Sequence, residues 1–165
     1  MAEGTHDDVR WLDATEASAW LPLLSLSMWL TPALDVQLQR DAGLSNFEYA
    51  VLAALSEADG RRRRLRDLAR VANSTLPRLS KVVDRFEAQG WVEREPDPTD
   101  GRSTLAVLTE SGWQKVVETA PGHVARVREL VFDRLTPAQV RQLAAIAGTL
   151  AAACGPDGGC ASRAR

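Results

Sequence analysis

The sequence predicts a mainly α-helical chain carrying one small β-hairpin, an α+β class. Three observations predict it: apolar residues recur at helical spacing through most of the chain, the period drops to two over a short stretch near residue 91, and side chains that cap helices stand at the starts of several periodic segments. With 165 residues, 45% hydrophobic and 25% charged, the chain has the balance of an ordinary globular protein and the length for one core with extensions.

Met1 to Asp8 is polar, and residues 1–12 are expected to be flexible. From Asp13 to about Gln39, Trp20, Leu23, Leu24, Leu30, Leu34 and Leu38 fall near helical spacing, and Asp13 with Glu16 forms the pattern of a capping box. A long first helix is expected over 13–43, starting late or kinked because Pro22 and Pro32 each remove a helical hydrogen bond. The apolar run Leu21 to Leu34 is too short and too interrupted for a membrane span.

A second helix opens at Ser45-Asn46-Phe47-Glu48, another capping box, carries Phe47, Val51, Leu55 and Ala58 on one face, and ends at Asp59-Gly60. After four arginines, Arg61 to Arg64, the apolar residues Leu65, Leu68, Ala69 and Ala72 mark a short third helix. Asn73-Ser74 breaks it and is placed to cap a fourth, Thr75 to Gln89, whose inner face is Leu79, Val82, Val83 and Phe86. Pro77 stands in its first turn, where a missing N–H costs little.

Trp91 to Glu95 then alternates, Pro96 to Gly101 is dense in turn formers, and Thr104 to Leu108 returns as a second strand, giving a hairpin with a long charged tip. Thr109 caps a fifth helix that Pro121-Gly122 is expected to bend or break, and Thr136-Pro137-Ala138-Gln139 opens a sixth. Residues 155–165, rich in Gly, are expected to be a flexible tail.

Net charge is −2, but its distribution is uneven. Arg61 to Arg102 holds eleven Arg or Lys against seven Asp or Glu, a local excess of +4 that leaves −6 for the rest. The outer face of the fourth helix presents Ser74, Thr75, Arg78, Ser80, Lys81 and Arg85, hydroxyls and cations suited to base edges and phosphates in a major groove. By itself such a face is equally an ordinary solvated one. Arg102, just past the Asp100-Gly101 turn and beside Ser103, is placed for a minor groove, with Asp100 as its ion-pair partner and Arg94 on the opposing strand as a phosphate contact.

Helix, short helix, capped helix and hairpin in this order make a winged helix-turn-helix. Leu65-Arg66-Asp67-Leu68-Ala69, the run Thr75 to Val92, Asp97-Pro98-Thr99-Asp100-Gly101-Arg102-Ser103 and Leu108-Thr109-Glu110-Ser111-Gly112 together resemble the MarR family of bacterial regulators. The resemblance implies a DNA-binding domain over 44–108, dimerisation helices over 13–43 and 109–154, a recognition helix from Ser74 to Gln89 including Pro77, and a wing carrying Arg102. It further implies a cytoplasmic homodimeric regulator, chiefly a repressor, bound to a pseudo-palindromic operator in double-stranded DNA and answering a small-molecule effector.

Trp11, Trp20, Met28 and Trp29 either line a site for a flat aromatic or phenolic effector, with Arg10 for its carboxylate, or are core aromatics of the dimer. His6 and His123 are too isolated for a metal site, and Cys154 and Cys160 lack a neighbouring cation to activate a thiolate. With no nucleophile and base constellation and no phosphate-cradling Gly loop, the sequence calls for neither an enzyme nor a cofactor. The rival expectation is a winged-helix adaptor that binds a protein partner instead of DNA.

Overall fold

The computed structural model describes residues 9–154. Residues 1–8 of the expected flexible start over 1–12, the tail over 155–165, His6 and Cys160 lie outside the described residues. The chain divides into two compact units within its first helix, Met1–Ala33 and Leu34–Arg165.

The first unit is the leading part of α1 (Ala14–Ala42). The capping box is present: Glu16 N–H donates to Asp13 Oδ1 at 2.8 Å, and Asp13 N–H donates to Glu16 Oε2 at 2.9 Å. Neither Pro22 nor Pro32 delays or interrupts the helix, since each removes one hydrogen bond from a 29-residue ladder whose other bonds persist. Consequently α1 is long and apolar enough to cross a membrane by length and composition, with an 18-residue window of mean hydropathy 1.2, longer than the apolar run read from the sequence. The apolar side chains of this unit stand open, Trp11 at 80% exposure and Trp29 at 70%.

The second unit holds the core. Leu38 from the end of α1 packs with Val51, Leu52 and Leu55 of α2 (Asn46–Ser56), Leu68 of α3 (Leu65–Val71), and Leu79, Val83 and Phe86 of α4 (Leu76–Ala88). The Ser45 and Glu48 capping box starts α2, which ends at Ser56, before the expected Asp59-Gly60. Between α3 and α4 the chain turns at Asn73, whose φ of 49° is the left-handed conformation asparagine tolerates. Ser74 N–H closes that turn on the Ala69 carbonyl at 2.9 Å. The cap of α4 is Thr75, not Asn73 or Ser74, because Asn73 is already committed to closing α3.

A three-stranded antiparallel sheet completes the unit, ordered β1 (Arg62–Arg64), β3 (Asp100–Leu108), β2 (Val92–Asp97). The hairpin is tighter than expected: β2 and β3 run to Asp97 and Asp100, leaving only Pro98 and Thr99 between them. Pro96 is accommodated because β2 lies at an edge of the sheet, where a missing N–H breaks no inner ladder.

Thr109 caps α5 (Glu110–Leu130) and also donates from its hydroxyl to the Gly90 carbonyl at 2.7 Å, fastening the start of α5 to the end of α4. Pro121-Gly122 does not break α5. Packing outweighs the one lost bond there: Val116 and Thr119 are buried, and Gly122 lies so close to the Gln37 side chain that a Cβ would meet Nε2 at 3.2 Å. Thr136 and Gln139 form the expected box at the start of α6 (Pro137–Cys154), none of whose residues is buried.

Candidate nucleic-acid interface

The amphipathic pattern of α4 fixes what it shows to solvent. Leu79, Val82, Val83 and Phe86 turn inward, so Thr75, Leu76, Pro77, Arg78, Lys81 and Arg85 stand exposed. Thr75 Oγ1 accepts from the Arg78 N–H at 3.4 Å, and the hydroxyl of Ser74 donates to the Thr75 carbonyl at 3.3 Å, so the first turn is tied down by its own side chains.

The wing is built around two aspartates with distinct work. Asp97, only 5% exposed, accepts from Thr99 N–H at 2.8 Å, from the Thr99 hydroxyl at 2.7 Å and from Arg64 Nε across the sheet. Arg64 Nη2 in turn donates to Thr99 Oγ1 at 2.9 Å, closing a ring of charged and polar groups at the base of the tip. These bonds, those from Thr99 first, hold the Asp97 carboxyl down at about 2. Asp100 accepts from the hydroxyl of Ser103 at 2.7 Å and from the backbone N–H of Arg102 at 3.2 Å, which keep its pKa below the usual carboxylate range.

Asp100 therefore grips the backbone beneath Arg102 instead of pairing with its guanidinium, as the sequence had suggested; the exposed guanidinium has no ion-pair partner among the described residues. A cleft opens between the wing and the two helices, lined by Arg64, Arg66, Leu76, Ser80, Arg102 and Ser103. Arg66 and Leu76 were not legible as site residues, because they become neighbours of Arg102 only once β3 folds back beside β1.

Two expected phosphate contacts are committed elsewhere. Arg94 is mostly covered and points at α4: it pairs with Asp84 at 2.7 Å and with Glu87, and donates to both the carbonyl and the hydroxyl of Ser80 at 3.2 Å. Arg85 pairs with the buried Glu48 of α2. Arg78 lies with its guanidinium carbon 4.1 Å from the centre of the Phe47 ring, a cation–π contact that leaves its outer edge free. In sequence a paired guanidinium and a free one look alike.

The proposed effector residues lie on the first unit. Trp11, Trp20, Met28 and Trp29 are all exposed, and Arg10, expected to be available for a carboxylate, pairs with Glu16 at 3.1 Å.

A capped helix with an open polar face, preceded by a short helix and flanked by a sheet whose hairpin carries a free arginine, defines the winged helix-turn-helix class. Within that class the chain belongs to the MarR family, a family of transcriptional regulators and not of enzymes: the MarR family model matches residues 42–103. It is similar to Sco3205, a MarR family transcriptional regulator from Streptomyces coelicolor solved in complex with DNA. The two are 44% identical, the match covers 92% of this chain and 94% of that one, and the TM-score is 0.85. AbsC, a MarR family regulator from the same organism, is 38% identical with a TM-score of 0.78, covering 86% of this chain and 98% of that one. An uncharacterised HTH-type transcriptional regulator of Bacillus subtilis, YkoM, matches more locally, 35% identical over 65 residues, or 39% of this chain. The chain thus spans 42% of that curated relative's length.

Proposed function

We propose that this chain is a cytoplasmic, homodimeric transcriptional regulator, acting chiefly as a repressor, that binds a pseudo-palindromic operator in double-stranded DNA and releases it when a small aromatic or phenolic effector binds. The observation that carries the proposal is the cleft between α4 and the wing, where Arg66 and Arg102 meet the exposed start of the recognition helix. Sco3205, similar over nearly its whole length, was crystallised with DNA, which supports the same use of the surface here. Phosphate contacts would supply affinity and register, and the start of α4 with the wing would supply sequence readout.

The second copy is argued from uncovered apolar surface. Trp20, Leu21, Leu24 and Trp29 on the first unit, and Ile146 and Leu150 on α6, lie exposed in a single copy. Such patches mark interaction surfaces, and we assign them to the dimer, giving residues 13–43 and 109–154 the joining role and 44–108 the reading role. The same assignment accounts for the apolarity of α1 without a membrane. Two heads so joined would meet half-sites about 10 bp apart.

The test is binding of the full-length protein to a duplex that it selects from a random pool, over a range of salt. Affinity should fall linearly on a log–log plot, with a slope near −0.9 for each phosphate neutralised. Failure to enrich any duplex, or binding indifferent to salt, overturns the proposal in favour of an adaptor. For the dimer, removal of the chain from Thr136 onward should give a monomer by light scattering; a truncated chain that stays dimeric refutes the role of α6.

A further inference from the structure

We propose that Leu76 is a specificity-determining residue that reads the C5-methyl group of thymine in the operator; the proposal rests on the DNA-binding reading above. Leu76 is the first residue of α4, is 45% exposed, and takes no part in the core beneath the helix. It borders the cleft together with Ser80, one turn further along, and with Arg66 and Arg102. An isolated surface leucine needs no explanation, but this one sits in a cleft lined by Arg66 and Arg102 as well as Asp67 and Asp100, at the end of the helix that would enter the groove.

The chemistry of its neighbours narrows what that end of the helix can recognise. The Thr75 oxygen is occupied as acceptor by the Arg78 N–H, Pro77 has no backbone N–H, and Arg78 is drawn over Phe47. Ser80, which follows on the same face, has both its hydroxyl and its carbonyl engaged by Arg94. Leu76 and Pro77 therefore give the turn that leads into the groove an apolar patch, set beside the cations and hydroxyls that surround it. In the major groove the one apolar feature that distinguishes a base is the methyl of thymine. A leucine there can cover that methyl and can make no bond to guanine, cytosine or adenine edges.

The experiment uses the full-length protein and the duplex it selects from random sequence, prepared once with thymine and once with uracil at every thymine position. Binding of the unmodified protein should weaken roughly fourfold for each contacted methyl removed, the equivalent of about 0.8 kcal/mol per buried methyl-sized group. Leu76→Ala should bind the thymine duplex more weakly by a similar factor and bind both duplexes equally, while Leu76→Met should restore the preference for thymine. The circular-dichroism spectrum and thermal midpoint of Leu76→Ala should match those of the unmodified protein, which shows that the fold is intact. Selected half-sites that contain no thymine, equal binding of both duplexes by the unmodified protein, or a Leu76→Ala protein that still prefers thymine overturns the methyl contact and leaves the regulator reading standing. A protein that enriches no duplex overturns both.

Discussion

Arg94 on the wing's β2 strand reaches across to α4 and donates to the main-chain carbonyl of Ser80 at 3.2 Å, so a side chain of the hairpin holds a backbone atom of the helix. The same guanidinium is also shared between Asp84 and Glu87, one turn apart on α4. Arg94 thereby ties the wing to the recognition helix beside the core contact of Phe86 and Val92, which makes it a positioning residue.

Replacing Arg94 by Ala should weaken operator binding several-fold while leaving the slope of log affinity against log salt unchanged, since the residue makes no phosphate contact of its own. Titrations of variant and parent at four or five salt concentrations check this. A slope reduced by about one unit would place Arg94 on the DNA instead.

The opposite signature is expected of Arg102. Arg102→Ala should lower operator affinity and reduce the salt slope by about one unit, because its guanidinium is exposed and unpaired among the described residues. An unchanged affinity would remove the wing tip from the interface.

Gly112, in the first turn of α5, is packed against the Trp91 carbonyl and the Leu108 side chain; a Cβ there would stand 2.7 Å from Leu108 Cδ1. Neither neighbour can yield easily, as the Trp91 carbonyl already accepts from the Thr109 N–H at 3.0 Å. Gly112→Ala should cost about 1–3 kcal/mol of stability, measurable as a lower midpoint in urea with an unchanged m-value.

Acid should loosen the wing within a defined window. The Asp97 carboxyl ionises at about 2 in the folded chain against 3.8 ordinarily, so its contribution is complete above about pH 4 and is lost as pH falls towards 2. Asp97→Asn should be less stable than the parent at pH 7, and the difference should shrink on acidification through that window. Thermal melts at pH 7 and at pH 3 provide the measurement; an equal difference at both values would show that the charge of Asp97 contributes nothing.

Much of the architecture was legible because caps are local. Ser45 with Glu48, Thr109 with Gly112, and Thr136 with Gln139 each start a helix with bonds spanning three residues, and each stands where spacing placed it. The strand β1 was not legible. Arg62 to Arg64 shows no alternation of apolar and polar side chains and is extended only because β3 pairs with it, Arg63 opposite Ala106, some forty positions away. The two prolines of α1 and Pro121 in α5 were expected to bend or break their helices, yet a proline's local cost loses to a long ladder or to burial on either side. The recognition helix could be located from the sequence, but the allocation of its charges could not. Whether Arg85 or Arg94 is free depends on carboxylates brought alongside by tertiary contact, Glu48 of α2 in one case and Asp84 with Glu87 of α4 in the other.

The strand made wholly of arginine has a bearing on solubility. β1 forms one rim of the sheet, and an open rim is a template on which a stray extended segment can add itself. Here Arg62 and Arg64 are paired within the chain, to Glu95 and Asp97, so a second copy of the same strand would have to break those pairs or bring arginine against arginine. Crowded or partly unfolded copies of this protein are therefore steered away from stacking into fibrils along that border.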